Sequence, residues 1–295
     1  MPIGHMSFTV PEVQTLLRRY GIHYSEVRSP DLGKSSRVFQ LQRGPDVEYV
    51  KFNIPPRIRA LAAVHDVLAS RNIPSARVVF STPDDTALPS FVILTEVKGI
   101  VLGDAPVAAR QHLMAEAAGV LARAHGTSVP GYGPLIVNNG RMMGKHGSWA
   151  EYLSLKAPDI GALLEASIIS DREAAVYRGV AARVFTAPAR PARLLHNDFH
   201  RENILVDQGA ISGIIDWDNA IAGDPLYDLA NVWHVFGGSF DLFKAGYGAE
   251  IDMARFNDLR IFRSFVKIGE ASKVRRARLE KYRERLEELR AELDW

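Results

Sequence analysis

The chain contains no cysteine among its 295 residues. That absence removes disulfides, thiolate nucleophiles and Cys-based zinc sites together, so any catalysis has to rest on carboxylates, histidines, amides and hydroxyls. No run approaches the roughly 18 consecutive apolar residues that a membrane helix requires, and the N-terminal segment lacks a basic stretch followed by an apolar one. The expectation is a cytoplasmic protein with no membrane partner. An excess of one charge is missing too: 36 Lys plus Arg stand against 34 Asp plus Glu, with no long basic stripe before residue 273. Nucleic acid is therefore not an expected partner. The opening MPIGHMS contains Gly-His-Met, a tripeptide common at cloning junctions, and carries no functional weight.

What is present is an ordinary globular composition, 47% apolar, in a chain long enough for one large domain or two lobes. From about residue 22 to 103 the pattern is strand-like (HYSEV, SRVFQL, VEYVKF, SFVILTEV) with turn material such as SPDLGKSS and QRGPD between the runs. One helix interrupts at about 56–71, with Ile58, Leu61, Val64, Val67 and Leu68 on one face. After Gly103 the character turns helical. Asp104 and Pro106 open a helix to about His125 whose stripe is Leu113, Ala117, Val120, Leu121 and Ala124. A Gly- and Pro-rich loop follows, then helices at about 148–156, 159–166 and 170–187. GDPLYDLANVWHVF reads as a helix with Asp224 as N-cap and Pro225 at its first position. One or two long helices occupy 252–293, ending in a charged tail that reads as a solvated face with i,i+4 pairs. The expected division is residues 1–97 and 98–295.

The chemistry is concentrated in LLHNDFHRENILVDQGAISGIIDWDN, residues 194–219. The apolar triplets at 204–206 and 213–215 predict two short strands joined by a polar turn. An antiparallel return then carries Asp216 back beside Asn203, with Asp198 in the loop just before. Hard oxygen donors of this kind suit Mg²⁺, which keeps several waters and is usually shared with nucleotide phosphates. Asp198 is left to accept a proton. The spacing H-x-D-x-x-x-x-N, with an Asp thirteen residues after the Asn at the end of an apolar strand, is the catalytic-loop and metal-loop arrangement of kinases.

At these residues the chain resembles the aminoglycoside phosphotransferase and choline-kinase-like family of small-molecule kinases. HNDFHRENILVD is similar to the family's catalytic loop and IIDWDNAIAGDPLYDLA to its metal loop and following helix; GYGPL and GSWAEYL resemble the hygromycin-type antibiotic kinases in particular. The resemblance implies an α+β, bilobal protein-kinase-like fold: a small N-terminal antiparallel sheet with one helix, a larger mainly helical C-terminal lobe, and ATP between them. It implies Asp198 as the base that orients or deprotonates the acceptor hydroxyl, Asn203 and Asp216 as Mg²⁺ ligands, and Lys51 as the lysine pairing with the α- and β-phosphates. His196 is expected to brace the loop, as are Asp224 and Asp228. Ser35 and Ser36, in SPDLGKSSRVF, would cover the phosphates, and backbone groups of Thr95 and Val97 would hold adenine at the hinge-like FVILTEVKG. GTP is the alternative nucleotide, and monomer and homodimer both remain open.

One departure stands out. Kinases of this type pair the lysine with a Glu on the following helix, yet PPRIRALAAVHDVLASRN has none, and Asp66 is its only carboxylate. Either Asp66 or a water fills that role, or the helix lies differently. From residue 104 onward 25 Asp plus Glu balance 24 Lys plus Arg, which favours a less charged hydroxylated acceptor over a polyamine. An antibiotic is the expected acceptor: aminoglycoside-like, nucleoside or macrolide. The rival readings are a metabolic kinase of choline, sugars or amino-alcohols and a nucleotide-binding pseudokinase. A protein kinase is disfavoured, because IDWDNAIAGDP leaves no room for a long activation loop.

Overall fold

The structure is a computed structural model describing residues 7–29, 37–83, 89–274 and 276–295. The chain forms helix α1 (Val10–Arg19), strands β1 (Glu26–Arg28), β2 (Val38–Arg43) and β3 (Asp46–Asn53), helix α2 (Pro55–Ser70), strands β4 (Val78–Ser81), β5 (Ser90–Thr95) and β6 (Ile100–Val101), and helix α3 (Val107–His125). There follow the strands β7 (Tyr132–Asn138) and β8 (Arg141–His146), then helices α4 (Trp149–Ser154), α5 (Ile160–Glu165) and α6 (Asp171–Thr186). Strands β9 (Arg193–Leu195), β10 (Ile204–Asp207), β11 (Ala210–Ile214) and β12 (Ile221–Gly223) precede α7 (Pro225–Phe236), α8 (Phe240–Tyr247), α9 (Met253–Ser272) and α10 (Arg276–Leu293). The expected mixture of an antiparallel sheet and a helical region is present.

These elements gather into two compact units made of non-contiguous segments, whereas the sequence reading divided the chain once, after residue 97. One unit holds residues up to Leu113 with Ile136–Met142 and Glu202–Asp218; the other holds Met114–Leu135, Met143–Arg201 and Asn219–Trp295.

In the first unit the strands are ordered β1-β2-β3-β5-β4, all neighbours antiparallel. One sheet face carries Phe39, Leu41, Val50, Phe52, Phe91 and Ile93, packed against Val13 and Leu17 of α1. The sequence reading lacked α1, although its start is written in Thr9-Val10-Pro11-Glu12: Thr9 and Glu12 form a reciprocal capping box, with the Thr9 N–H donating to Glu12 at 2.7 Å. Strand alternation puts Lys51 on the opposite face from Val50 and Phe52, in register with Val38 and Val92.

Helix α2 buries Ile58, Leu61, Val64 and Leu68 as expected, but the stripe also contains His65, 3% exposed, while Val67 is half-buried. His65 Nδ1 lies 2.9 Å from the Ala76 carbonyl, which can only accept, so Nδ1 carries the proton. The same unit contains the sheet β11-β10-β6. Gly99 has φ +127°, and a Cβ there would come 2.3 Å from the Val206 carbonyl oxygen. Only glycine meets both demands before β6 pairs with β10.

In the second unit α7, α9, α6 and α10 form the helical core. Two expectations are corrected. The Gly- and Pro-rich stretch after α3, divided between the two units, contains a hairpin, β7–β8, whose turn Asn139-Gly140 falls in the first unit and has both residues at positive φ (49° and 70°); Asn-Gly is the strongest short hairpin signal. The charged tail is α10, and it is docked as well as solvated: Leu286 and Leu289 are buried, and Glu292 takes an ion pair from Arg260, itself 2% exposed. A cut into helices by motif alone misses this, since among the described residues only two leucines are buried and the rest of the contact is polar or aromatic, such as Arg283 on Glu173 and Tyr282 beside His234.

Burial holds the His65 pKa down, to about 4, with the Lys51 charge adding to the effect and the Ala76 bond opposing it. A histidine whose folded pKa lies below its unfolded 6.5 contributes stability fully present above pH 6.5 and lost as pH falls toward 4. At about 1.4 kcal/mol per pH unit the swing reaches roughly 3 kcal/mol. Denaturant melts at pH 7 and 4.5 are expected to show that His65→Gln loses less stability than the parent over this window; parallel losses would contradict the assignment.

Candidate active site

In the first unit the β10–β11 hairpin positions Asn203 and Asp216. Ile204 pairs with Ile214, and the Ile215 N–H donates to the Asn203 carbonyl at 2.9 Å, which brings the residues on either side of the hairpin to one end of it. The second strand is pinned by Trp217, 2% exposed, whose indole N–H donates to the Ile214 carbonyl at 3.0 Å. Asp216 sits at φ +62°, a left-handed conformation uncommon outside glycine. Such strain persists where surrounding structure enforces it, often at functional sites.

Lys51 reaches this hairpin end. Its Nζ lies 2.9 Å from Asp216 Oδ1 and also forms an ion pair with Asp218. Burial works against the Lys51 charge, but Asp218 and then Asp216 outweigh it and hold its pKa above the usual lysine value. The Asp218 carboxyl is pushed up by burial and by Asp216, against the pull of Lys51. The missing helix carboxylate thus has a structural answer. Asp66 is exposed, the buried position in that turn is the neutral His65, and the carboxylates on Lys51 come from the segment after β11. Asp218 was missed by sequence reasoning although it stands two residues after Asp216.

The donors fit a hard divalent cation. Asp216 is 44% exposed, and Asn203, a buried residue whose side chain carries an amide oxygen, stands at the same hairpin end. No cluster of three His, Cys, Asp or Glu residues among the described residues forms a cage. Mg²⁺ is ordinarily held by one or two carboxylates plus phosphates and water, so this sparse oxygen set suits it.

Thr95 and Val97 differ in the backbone donors they carry. The Thr95 N–H is committed to the Arg77 carbonyl and its Oγ1 accepts the Arg77 N–H, both at 2.9 Å, while the Glu96 N–H goes to Val47 at 3.2 Å. A backbone donor for a base therefore begins at Val97. Its side chain packs so close to Gly213 that a Cβ there would come 2.7 Å from it. Ser35 and Ser36 lie outside the described residues.

In the second unit the loop after β9 holds Asp198, its side chain 39% exposed. The Asp198 N–H donates to Nδ1 of the fully buried His196 at 3.3 Å, so this nitrogen is unprotonated and His196 braces the loop. Asn219 Nδ2 lies 3.5 Å from Asp198 Oδ2 and His200 Nε2 lies 3.8 Å from Oδ1. Asn197, at φ +63°, donates from Nδ2 to the Asn219 carbonyl at 3.2 Å.

The loop hangs on Asp228. Fully buried on α7, its carboxylate accepts the N–H groups of His196 and Asn197, both at 2.7 Å, and lies 3.1 Å from His125 Nε2. Burial disfavours its charge, yet the bond to His125 and the loop amides more than compensate, leaving its pKa below the normal carboxylate value. Asp224 caps α7 through the Leu226 N–H at 3.0 Å and takes Arg255 at 2.6 Å. Both carboxylates brace, as the sequence suggested. Arg263 on α9 was not foreseen: it stacks over Tyr227, 4.1 Å from the ring centroid, and its Nη2 lies 3.1 Å from Asn231 Oδ1 and 3.3 Å from Asn197 Oδ1.

The phosphotransferase enzyme family matches residues 26–259. The chain belongs to that family. Hygromycin-B 4-O-kinase of Escherichia coli is 27% identical over 150 residues, 49% of this chain and 43% of that protein. Homoserine kinase of Pseudomonas aeruginosa is 49% identical over 43 residues, 15% of this chain and 14% of that one. The alignments thus span less than half of either relative. Among solved structures, a ternary complex of a thermostable mutant of aminoglycoside phosphotransferase APH(4)-Ia with AMP-PNP and hygromycin B superposes with TM-score 0.70, 20% identity, and coverage of 94% of this chain and 97% of that one. A GDP and kanamycin complex of APH(2")-IIia gives TM-score 0.67 at 17% identity, covering 96% and 99%. These likenesses establish the fold.

Replacing Asp228 by Ala leaves two buried loop amides and His125 without their acceptor. The expected cost is about 3–5 kcal/mol in a denaturant melt, the range for stripping one partner from a buried charged network. A loss below about 1 kcal/mol, typical of a surface change, would show that the loop does not depend on this carboxylate.

Proposed function

We propose that this family member transfers the γ-phosphoryl group of ATP to a hydroxyl of a small molecule in a Mg²⁺-dependent reaction. The observation that carries the proposal is the hairpin end, where Asp216, 2.9 Å from Lys51, meets the strand that begins after Asn203. An ammonium beside oxygen donors is what a metal-bound polyphosphate requires.

Asn203 and Asp216 are assigned to the metal, which when bound supplies charge neutralisation at the phosphate oxygens. Lys51 binds the α- and β-phosphates, for which ATP oxygens compete with Asp216 and Asp218. Asp198 orients the acceptor hydroxyl and receives its proton. As the acceptor O–P bond forms, the bond from the γ-phosphorus to the β,γ-bridging oxygen breaks, and that oxygen leaves on ADP with the electron pair. The amides clamped by Asp228 and the Asn219 contact hold the Asp198 carboxylate in place, so the chain contributes chiefly position and charge. Val97 supplies the backbone contact to the base, with GTP as the alternative nucleotide.

An antibiotic acceptor is supported by the match to hygromycin-B 4-O-kinase across 49% of this chain. A second reading, a metabolic kinase of a small hydroxylated compound, is favoured by the shorter and more identical match to homoserine kinase.

Two variants separate the roles. Asp198→Ala is expected to lower turnover by about 10²–10⁴-fold, the usual contribution of a general base, with nucleotide affinity unchanged in calorimetry. Asp216→Ala is expected to weaken Mg²⁺-dependent ATP binding by at least about tenfold, as disturbing a metal's partners does. Near-normal turnover in the first, or unaltered Mg²⁺ dependence in the second, would refute the corresponding role.

A further inference from the structure

In the second unit, cations of α9 lead away from the loop that carries Asp198. Arg263 reaches the neighbouring residue, its Nη2 3.3 Å from Asn197 Oδ1. One turn further along the same face of α9 stands Lys267, about 6 Å on by helical geometry. Its side chain is 22% exposed, and its ion pair is a loose one, 3.8 Å to the exposed Glu270. Arg278, at the start of α10, adds a third cation to the field at Lys267, where the carboxylates are Glu270 and Asp198. Burial, then Arg263, depress the Lys267 pKa to about 8 against the pull of those two carboxylates. A lysine in that condition is under-compensated: it stays charged at neutral pH, and a further anion would stabilise it.

Arg263 differs in kind. It is 4% exposed, stacked on Tyr227 and tied to Asn231, which fits it to holding the loop. Of these two α9 cations Lys267 is the one left partly open to solvent, while Arg278 on α10 is exposed. Its neighbourhood is the reverse of what a polycation needs, since desolvated ammonium groups require facing carboxylates.

We propose that Lys267 is an acceptor-binding residue that receives an acidic group, carboxylate or phosphate, on the hydroxylated substrate whose hydroxyl is presented to Asp198. This rests on the phosphotransferase reading and narrows its substrate class to small hydroxy acids or their phosphate counterparts. A compact ammonium on a flexible stem accepts either anion as a point charge; it lacks the planar fork by which Arg selects a bidentate partner.

The test is a matched panel read in two ways. The carboxylates 4-hydroxybutyrate and D-gluconate and the phosphate glycerol 3-phosphate are compared with uncharged butane-1,4-diol, glucose and glycerol, and with the polycation kanamycin. Turnover with Mg-ATP is followed by ADP release. Binding to Asp198→Ala is followed by saturation-transfer NMR, which needs no turnover. The acids are expected to outperform their uncharged partners by about tenfold or more in kcat/KM, and the better of the two acid classes identifies the group. Lys267→Gln should raise the acceptor KM about tenfold while leaving the KM for ATP unchanged, and Lys267→Arg should restore most of it. An unchanged acceptor KM in Lys267→Gln, preference for kanamycin, or equal binding of acids and their uncharged partners would overturn the proposal with the phosphotransferase reading intact. Absence of turnover with every compound, alongside Lys267-dependent binding of the acids, would instead leave the binding site standing and count against phosphotransfer.

Discussion

The Asp228 carboxylate is the constraint on which the second unit's chemistry depends. It is a full charge with no solvent contact, tolerable only because two loop amides and a histidine face it. That requirement runs both ways. The carboxylate needs the donors, and the donors belong to His196 and Asn197, the two residues immediately before Asp198. Fixing them fixes the backbone that leads into Asp198, the proposed base, with Asn197 held in a left-handed conformation that an unsupported chain seldom adopts. His125 joins α3 to the same point, and its Nδ1 continues to the Tyr247 hydroxyl at 2.7 Å, so α3, α7, α8 and the loop share one buried polar network.

The first unit solves a different electrostatic problem. Lys51 is mostly withdrawn from water and would lose its proton more readily without nearby anions. Protein kinases place a glutamate from the following helix beside such a lysine. Here α2 offers a neutral imidazole, fixed on the Ala76 carbonyl, and the counter-charge comes from Asp216 and Asp218. The carboxylate proposed to bind metal is thus also a carboxylate that keeps Lys51 charged. Two acidic residues two positions apart give the loop capacity to serve both needs.

Much of this was readable from local pattern. The hairpin was legible because apolar triplets at 204–206 and 213–215 lie on either side of a polar turn around Asp207 to Ala210, and the α7 start because Asp224-Pro225 satisfies a cap and a first-turn preference at once. The α3 stripe followed from helical spacing alone. Helix α1 was passed over because its signal is a four-residue capping box ahead of only two fully buried residues, Val13 and Leu17. The β7–β8 hairpin was passed over because its glycines mask the strand period. Long-range pairings were not legible at all. That Lys51 would find Asp218, 167 positions away, or that Arg263 would reach Asn197, depends on sheet register and helix packing that no window of sequence contains. The charge balance after residue 104 was near zero and said little about where charge gathers, whereas in three dimensions Arg263, Lys267 and Arg278 share one neighbourhood with Glu270 and Asp198.

The central claim is that the chain moves a phosphoryl group from ATP to a small-molecule hydroxyl. The most direct test follows a label on the γ-phosphorus through incubation with Mg²⁺ and a panel of hydroxylated antibiotics, sugars and hydroxy acids, with products resolved by mass spectrometry. The account predicts that the label appears as a phosphate ester on a small-molecule hydroxyl, with one ADP formed for each ester. Label recovered only as inorganic phosphate, or left wholly on ATP with every compound, would contradict it.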